Sequence, residues 1–548
     1  MTKMRQLIFL WSACFAVAGC MQQDAAKDLS PITHQDSVHP ATVDSSSISR
    51  YISRYKLPKE VASGVFKAYA THQFQPMWTD AAGFGQQAHL AAAFFWKYLS
   101  IGLIDSAQFI PGMHQVFDAL IENGHPGATT IADTDLEIVF TIQVVRFYLE
   151  LVKAKSPESI GQMEWYMPLK KGDIDWDLLK IPKDFLESGL MHPQFHLLAQ
   201  AMQKLKAIEQ SGGWKPIAYT GKNLIPGDSS RFITLMKQRL QVTEPYAPRD
   251  TNASFNEKMV LAVRQFRKSV GLKDTALIDS AFVNRLNISV KKRIHTLTIN
   301  LQRWKWMPPD TSTVLIRVNI PAFELEVLEN GKSVKRMDAI IGTPNHHTVM
   351  FCDEIRNVVF NPYWNIPKSI LAKELWPQII RNRSYLQKHD MEIVRNGQPF
   401  NPNRIAWHRY NGYTFPYLVR QKPGPENPLG QVKFLFPNPY HIYIHDTPNK
   451  SLFEKEQRAF SHGCIRISEP LWLANYLLKE QTGWNTHRID AAVANGQEMY
   501  VGLTHPVPVY ITYITAWVDA QGILHFRDDV YEHDAQMERE LFAKHASK

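Results

Sequence analysis

Residues 461–466, with the sequence Ser-His-Gly-Cys-Ile-Arg, decide how the second half of the chain is interpreted. His445 lies nineteen residues before the cysteine of this stretch, at the end of the run His-Ile-Tyr-Ile-His. The alternating apolar residues Ile442 and Ile444 predict a short strand with one face turned inward. The open face then carries His441, Tyr443 and His445. The sequence therefore predicts imidazole and phenol groups side by side on one face of a sheet.

Cys464 follows a glycine and precedes a second alternating pair, Ile465 and Ile467, so we expect it at the mouth of a neighbouring strand. A thiol becomes a strong nucleophile as the thiolate, and a neighbouring imidazole can lower its pKa and later return the proton to a leaving amine. Gly463 allows backbone N–H groups to approach a developing oxyanion. Our hypothesis is that Cys464 and His445 form an acyl-transfer pair.

Three other interpretations of this cysteine are open. It could be a buried apolar residue, as free cysteines often are. It could form a disulfide with Cys352, because an exported chain meets oxidising conditions. It could also bind zinc, since imidazole and thiolate both suit that ion; the ligands would then be His441, His445, His462 and Cys464. The polar neighbours of Cys464 favour the nucleophile over an inert core position.

His445, followed after fifteen residues by Ser-His-Gly-Cys, resembles the signature of the L,D-transpeptidases that crosslink bacterial peptidoglycan. The stretch from Pro423 to Pro448, including Lys433-Phe434, is similar to the large, multi-domain YcbB-like subgroup. The resemblance implies Cys464 as the nucleophile, His445 as the base and a backbone carbonyl that orients the imidazole. It also implies a role in cell wall biogenesis and cell shape, acylation by carbapenems, and no cofactor or active-site metal.

The resemblance also places further residues around the substrate. We expect oxyanion or substrate contacts from Ser461, His462, Gly463, Tyr443, Arg466 and Trp364. Arg466 stands where much of the wider family has Asn. Trp364, with Trp407, is expected at the substrate entrance because residues 365–425 match the position of a cap insertion in the subgroup. The other interpretation of these tryptophans is that they anchor a loop.

The amino terminus is typical of an exported protein. Positive residues precede a short apolar run in residues 1–19, which predicts a signal peptide rather than a membrane span. Small residues leading into Cys20 resemble a lipoprotein cleavage site, so we expect lipid on Cys20 and a periplasmic protein anchored to the outer membrane. An ordinary cleaved signal is the alternative. Residues 20–48 are polar and predict a flexible tether.

Composition limits the function further. The chain has 548 residues, 45% of them hydrophobic, which fits several soluble globular domains. A formal net charge of +9 without a basic stripe argues against nucleic acid as a partner. We expect a monomer whose partners are peptidoglycan stem peptides, with cell-wall synthesis proteins as further candidates.

The predicted fold class is α+β with several domains. Helical periodicity predicts a scaffold domain at residues 49–211, with Tyr69, Met77 and Trp78 in its core. Residues 212–290 resemble a small three-helix peptidoglycan-binding domain, with Asp228 and Ser229 as cap candidates for its first helix. A connecting helix is expected within residues 291–312.

Period-two patterns then predict a mainly-β catalytic domain at residues 313–515, barrel-like or sandwich-like, interrupted by the cap insertion at 365–425. A hairpin and a charged tail are expected at 516–548. The resemblance implies an L,D-transpeptidase that releases D-alanine from a tetrapeptide stem and forms 3-3 crosslinks. A cysteine amidase or endopeptidase, or a non-catalytic wall-binding lipoprotein, is the alternative.

Overall fold

The computed structural model describes residues 42–80, 83–122, 133–152, 161–168, 176–180, 191–219, 221–308 and 312–543. The predicted signal segment, Cys20 and most of the tether lie outside these described residues. The chain forms two compact units, residues 1–151 with 175–184, and residues 152–174 with 185–548. The predicted scaffold domain 49–211 therefore contributes to both units. No helix in the described ranges is long and apolar enough to cross a membrane.

The first unit is helical. Its helices are α1 (Ser45–Arg54), α2 (Lys59–Thr71), α3 (Gln86–Ser100), α4 (Met113–Ile121) and α5 (Asp133–Val152), with a short hairpin of β1 (Thr79–Asp80) and β2 (Gly83–Phe84). The predicted core residues Tyr69, Met77 and Trp78 are buried. The buried carboxylate of Glu137 accepts the backbone N–H groups of Met77 and Trp78, each at 2.9 Å. This element is therefore structural, as expected.

The second unit begins with a helical part. It contains α6 (Pro193–Gln210), α7 (Arg231–Thr243), α8 (Glu257–Ser269), α9 (Ser280–Leu286) and α10 (Val290–Trp306). Helices α7 to α9 enclose one hydrophobic core that includes Ile233, Phe266 and Phe282. Ser230, not Asp228 or Ser229, caps α7, because its hydroxyl accepts the N–H of Phe232. Asp228 instead closes the preceding turn by accepting the N–H of Ile225.

Nine strands of the second unit form its main sheet. They are β3 (Val314–Asn319), β4 (Glu324–Glu329), β5 (Lys332–Gly342), β6 (Phe351–Phe360), β11 (Val432–Leu435), β12 (Ile444–His445), β13 (Ala459–Ser461), β14 (Ile465–Ile467) and β15 (Met499–Thr512). The order is β13-β5-β14-β12-β11-β6-β15-β3-β4, and β4 also pairs with β5. That last pairing closes the sheet into a barrel, which leaves few free edges.

Residues 364–421 leave the barrel and form a small subdomain. Its sheet contains β7 (Trp364–Asn365), β8 (Met391–Arg395), β9 (Gln398–Pro399) and β10 (Leu418–Gln421). Its short helices are α11 (Lys368–Ile370), α12 (Trp376–Arg381) and α13 (Ser384–Lys388), and a π-helical turn spans Leu371–Leu375. The prediction that Trp407 lines the entrance is wrong, because its ring is 3% exposed and stacks on Phe415 inside the subdomain core.

The carboxyl-terminal part packs on helix α10. Helices α14 (Pro470–Leu478) and α15 (Thr486–Ala494) precede β15, and the predicted hairpin is present as β16 (Ala516–Val518) and β17 (Leu524–Phe526). The expected charged tail is instead a helix, α16 (His533–Ala543). The charged residues of this helix make tertiary contacts, because Asp534 pairs with Arg303 and Glu538 pairs with His295, both on α10. Helix α10 is thus buried between the barrel and its neighbours.

We predict that Trp306→Ala destabilises the second unit by about 3–5 kcal/mol, the usual cost of removing a buried tryptophan. Trp306 is fully buried and meets the edge of Trp165 at a ring distance of 5.1 Å. Urea unfolding followed by circular dichroism measures the effect. The control is Tyr500→Ala, since Tyr500 is 59% exposed and should change stability by less than about 0.5 kcal/mol. Equal effects would contradict the packing described for α10.

Candidate active site

Two short parallel strands place the predicted nucleophile and base on neighbouring segments of the sheet. Strand β12 pairs with β14 through Ile444 with Ile465 and His445 with Arg466. The N–H of Ile465 donates to the carbonyl of Tyr443 at 3.0 Å, so Cys464 lies beside Tyr443 at the start of this ladder. Parallel strands so far apart in sequence can meet only through a crossover connection. The connection between them, from Asp446 to Cys464, is therefore what places the thiol next to the imidazole strand.

The thiol, the phenol and the imidazole form one cluster. The sulfur of Cys464 lies 3.6 Å from the carbonyl oxygen of His441, and the Tyr443 side chain hydrogen-bonds to it. The ring of Tyr443 is 5.5 Å from the ring of His445. Cys464 and Cys352 are both free thiols, so the predicted alternative of a disulfide between them is wrong.

His445 is oriented by the main chain. Its Nδ1 lies 2.5 Å from the carbonyl oxygen of Asp446, which can only accept, so Nδ1 carries the hydrogen and Nε2 the lone pair. The carboxylate of Asp446 points elsewhere and accepts from the N–H of Gln431 at 2.9 Å and from Lys450. The expectation that a backbone carbonyl, and not the Asp446 side chain, orients the imidazole is confirmed.

The imidazole is neutral at physiological pH. Burial lowers the pKa of His445 to about 3, and the positive charges of Arg466 and Lys433 act in the same direction. The carbonyl groups of Asp446 and Leu429 oppose that shift. Since the side chain is 3% exposed, water cannot solvate a cation there. His445 therefore offers an unprotonated Nε2 as a base at neutral pH.

The thiol is also neutral at rest. Burial raises the pKa of Cys464, whereas hydrogen bonds from Tyr443 and the charges of Arg466 and Lys433 oppose that effect. Desolvation thus has a larger effect on the thiol pKa than the groups that favour the anion. With a protonated thiol and a neutral imidazole, the proton would move as the sulfur attacks.

The turn before Cys464 is fixed from inside the protein. Gly463 has φ +111°, a conformation that favours glycine. Its N–H donates to the hydroxyl of Ser461 at 3.1 Å, and that hydroxyl donates to the carbonyl of Cys464 at 2.6 Å. The hydroxyl of Thr348 donates to the carbonyl of Gly463 at 2.8 Å. Ser461 thus positions the turn, and the Gly463 N–H is engaged in a hydrogen bond within it.

The remaining predicted residues are more dispersed. His462 faces the subdomain at 364–421 and forms an ion pair of 2.8 Å with Glu374, and both side chains are about half exposed. Trp364 packs against the core of that subdomain. Their contacts with substrate remain predictions. The zinc alternative fails in the described part of the chain, because the ligand atoms of His441, His445, His462 and Cys464 do not converge.

Sequence reasoning missed two functional candidates, Lys433 and Thr348. Lys433 pairs with His445 across strands β11 and β12, is only 8% exposed, and lies 5.8 Å above the Tyr443 ring. The sequence feature that could have indicated Lys433 is a lysine inside the otherwise apolar run Val-Lys-Phe-Leu at 432–435. Thr348 had no comparable signal, since its role depends on a loop more than a hundred residues from the turn that it supports.

Comparisons with known proteins agree with the resemblance. Residues 313–511 match the family model of the YkuD L,D-transpeptidase catalytic domain. A Haemophilus influenzae protein, provisionally named an L,D-transpeptidase, is 34% identical over 242 residues. That match covers 44% of this chain and spans 48% of the relative, so the chain spans about half of the relative's length.

Solved L,D-transpeptidases are more distant. The Stackebrandtia nassauensis enzyme is 11% identical, covers 54% of this chain and 97% of its own, and has a TM-score of 0.22. The Mycobacterium smegmatis enzyme is 13% identical, with 36% and 58% coverage and a TM-score of 0.18. An L,D-transpeptidase in complex with imipenem is 12% identical, with 36% and 59% coverage and the same TM-score, 0.18.

We predict that Lys433→Met slows alkylation of Cys464 by iodoacetamide at pH 8, measured by intact mass in a Cys352→Ser background. Loss of the positive charge should raise the pKa of the thiol further, so less thiolate is present. The rate should rise with pH and show no inflection near pH 6.5, because the imidazole stays neutral across that range. The control is Lys450→Met, whose lysine is 51% exposed. An inflection near pH 6.5 would contradict the neutral pair.

Proposed function

We propose that this chain, whose residues 313–511 form an L,D-transpeptidase catalytic domain, forms 3-3 peptidoglycan crosslinks by cysteine acyl transfer. The observation that carries the proposal is the cluster of a free thiol, the Tyr443 hydroxyl and a neutral imidazole fixed by a backbone carbonyl. A nucleophile, a base and a group that orients the base are the parts that acyl transfer requires.

In the first step, the sulfur of Cys464 attacks the carbonyl of the third, diamino-acid residue of a tetrapeptide stem. The thiol proton passes to Nε2 of His445 as the carbon–sulfur bond forms. Collapse of the tetrahedral intermediate breaks the amide bond, and the imidazolium returns its proton to the departing amine of D-alanine. A thioester on Cys464 remains.

In the second step, the side-chain amine of another stem attacks the thioester. His445 takes a proton from that amine, the carbon–sulfur bond breaks, and the thiolate recovers the proton. The net change is one amide exchanged for another, so no cofactor or external energy source is needed. Tyr443, which already contacts the sulfur, is placed to stabilise charge on the reacting atoms.

The positive charges suit an anionic donor. Arg466 and Lys433 both act on the thiol and the imidazole electrostatically, and Nε of Arg466 is buried without a hydrogen-bond partner. An unpaired buried donor costs free energy that a bound acceptor can recover. We propose that the carboxylate of the terminal D-alanine is that acceptor, which places Arg466 at the leaving-group side.

The subdomain at 364–421 favours transfer over hydrolysis. It has its own hydrophobic core and reaches the catalytic turn through the Glu374–His462 pair. A subdomain at this position would exclude water while the thioester exists. We therefore favour a transpeptidase over the amidase or endopeptidase that would use water as the acceptor.

We propose that the rest of the chain anchors the catalytic domain and holds it near its substrate. The segment up to Cys20 supports export and lipid anchoring in the periplasm, most simply at the outer membrane. The three helices at 231–286 support a wall-binding role for residues 212–290. Peptidoglycan stem peptides are the proposed partners, and we propose a monomer.

We predict that Cys464→Ser abolishes both the imipenem adduct in intact mass spectra and the formation of crosslinked muropeptide dimers. His445→Gln should retain the thiol and slow acylation by about 10²–10⁴-fold, the usual contribution of a positioned base. Cys352→Ser is the matched control and should react normally. An adduct that persists without Cys464, or a purely hydrolysed product from the native chain, would argue against the proposal.

We predict that Tyr443→Phe slows acylation by about 10²-fold or more without abolishing it, since one donor to the reacting centre contributes about 3–4 kcal/mol. The phenylalanine keeps the ring packing and removes only the hydroxyl. Single-turnover acylation by imipenem measures the rate, and Tyr440→Phe serves as the control because its ring stacks on Tyr166 outside the cluster. An unchanged rate would exclude the hydroxyl from the reaction.

A further inference from the structure

A second group of side chains includes His347, from the loop that contacts the turn at Gly463. Glu164, His347 and His533 come from three distant parts of the second unit, and their ligand-capable atoms lie within 4.8 Å of one another. Nδ1 of His347 is 2.7 Å from Oε2 of Glu164. Among the described residues, no other group of three or more such side chains converges in this way.

The group contains an unsatisfied atom. His533 is 4% exposed, and its Nε2 is buried without a hydrogen-bond partner. Nearly all buried polar atoms in proteins have a partner, so each exception requires an explanation such as an ion. Glu164 and His347 keep 31% and 25% of their side-chain surface exposed, which leaves an ion a route from solvent.

The surroundings hold both rings in place. His347 stacks on Tyr531 with ring centroids 4.1 Å apart, and His533 meets the ring of Tyr513 at 4.8 Å. Arg303, whose positive charge acts on His533, is paired with Asp534, which reduces its repulsion of a bound metal. The carboxylate of Asp529 also lies near His533 and accepts the N–H of Ala535 at 2.9 Å.

We propose that Glu164, His347 and His533 form a binding site for Zn²⁺. Two imidazoles and one carboxylate are a ligand set that zinc accepts, with water in the fourth position. Bonds of about 2.0–2.2 Å place tetrahedral ligand atoms roughly 3.3 Å apart, so shifts of about 1.5 Å would complete the site. The proposal goes beyond the transpeptidase activity and does not depend on it.

The ion would affect the turn at Gly463 indirectly, through the loop that contains His347. His347 belongs to the loop 343–348, whose Thr348 donates to the carbonyl of Gly463. The carbonyl of His347 lies 3.2 Å from where a Cβ on Gly463 would sit. Tyr531, stacked on His347, donates to the carbonyl of Gly342 at 2.7 Å. Zinc would therefore connect three segments: the one at Glu164, helix α16 and the loop 343–348. Its role would be structural and not catalytic.

The test is calorimetric titration with zinc chloride of the full chain carrying Cys464→Ser, after chelator treatment, so that the catalytic thiol cannot bind the metal. We expect one ion per chain. Glu164→Gln and His533→Phe keep side-chain shape and ring packing, and each should weaken binding by about 100-fold or more. Circular dichroism establishes that the variants fold.

The matched control is Glu538→Gln. His295 and Glu538 form a pair of the same 2.7 Å length, and His295 also stacks on an aromatic ring, Phe542, at 3.9 Å. Zinc affinity should not change in this variant. X-ray absorption of the zinc-loaded chain should show nitrogen and oxygen ligands with two imidazoles. Failure of the folded chain to bind zinc, or binding that Glu164→Gln and His533→Phe leave intact, would overturn the proposal.

Discussion

The site depends on a very small piece of sheet. Strands β12 and β14 share only two residue pairs, yet this ladder fixes the distance between the imidazole strand and the turn that carries the thiol. So short a ladder cannot determine its own geometry, because each backbone hydrogen bond contributes only about 1 kcal/mol net. The neighbouring strands determine the geometry of this ladder. Strand β11 holds His445 from one side through Lys433, and β5 holds β14 from the other side through Ile340 and Arg466.

Closure of the barrel is what makes those neighbours rigid. Because β4 pairs with both β3 and β5, the sheet carrying the site returns on itself, and β12 and β14 cannot separate without bending several strands. Three polar side chains then tie down the catalytic turn: Ser461 inside it, Thr348 from the adjoining loop and Tyr531 beyond that loop. Such preorganisation keeps the reacting groups aligned before a substrate arrives.

The sequence predicts the reactive residues of the site better than the strands and loops that surround them. The alternation at Ile442 and Ile444 predicts a longer strand than the observed β12. The strand is shorter because His441 takes a positive φ and the side chain of Asn438 hydrogen-bonds to the backbone of Ile442. Strand β15 carries Pro506 and Pro508, which are unusual inside a strand; its register with β6 shifts between Gly502 and Val507, and it pairs with β3 only from Val509 onward. Residues such as Ser461 and Cys464 were found because their spacing is local. The Thr348 and Glu164 contacts depend on tertiary folding and leave no periodic signal.

The pKa directions place the resting enzyme away from a thiolate–imidazolium pair. The pKa of the base lies well below neutrality and the pKa of the nucleophile lies above its usual range, so proton transfer before attack is unfavourable. Arg466 and Lys433 make the thiolate easier to form and the imidazolium harder to form, and these two effects oppose each other. A substrate carboxylate beside Arg466 would reduce the second effect, since it would partly neutralise the charge that disfavours the imidazolium. Binding of an anionic stem would then strengthen the base at the moment that it is needed, whereas a ligand without that carboxylate would meet a weaker one. In the proposed reaction the charge of the donor would therefore contribute to reactivity as well as to affinity, because it would favour the transition state more than the ground state.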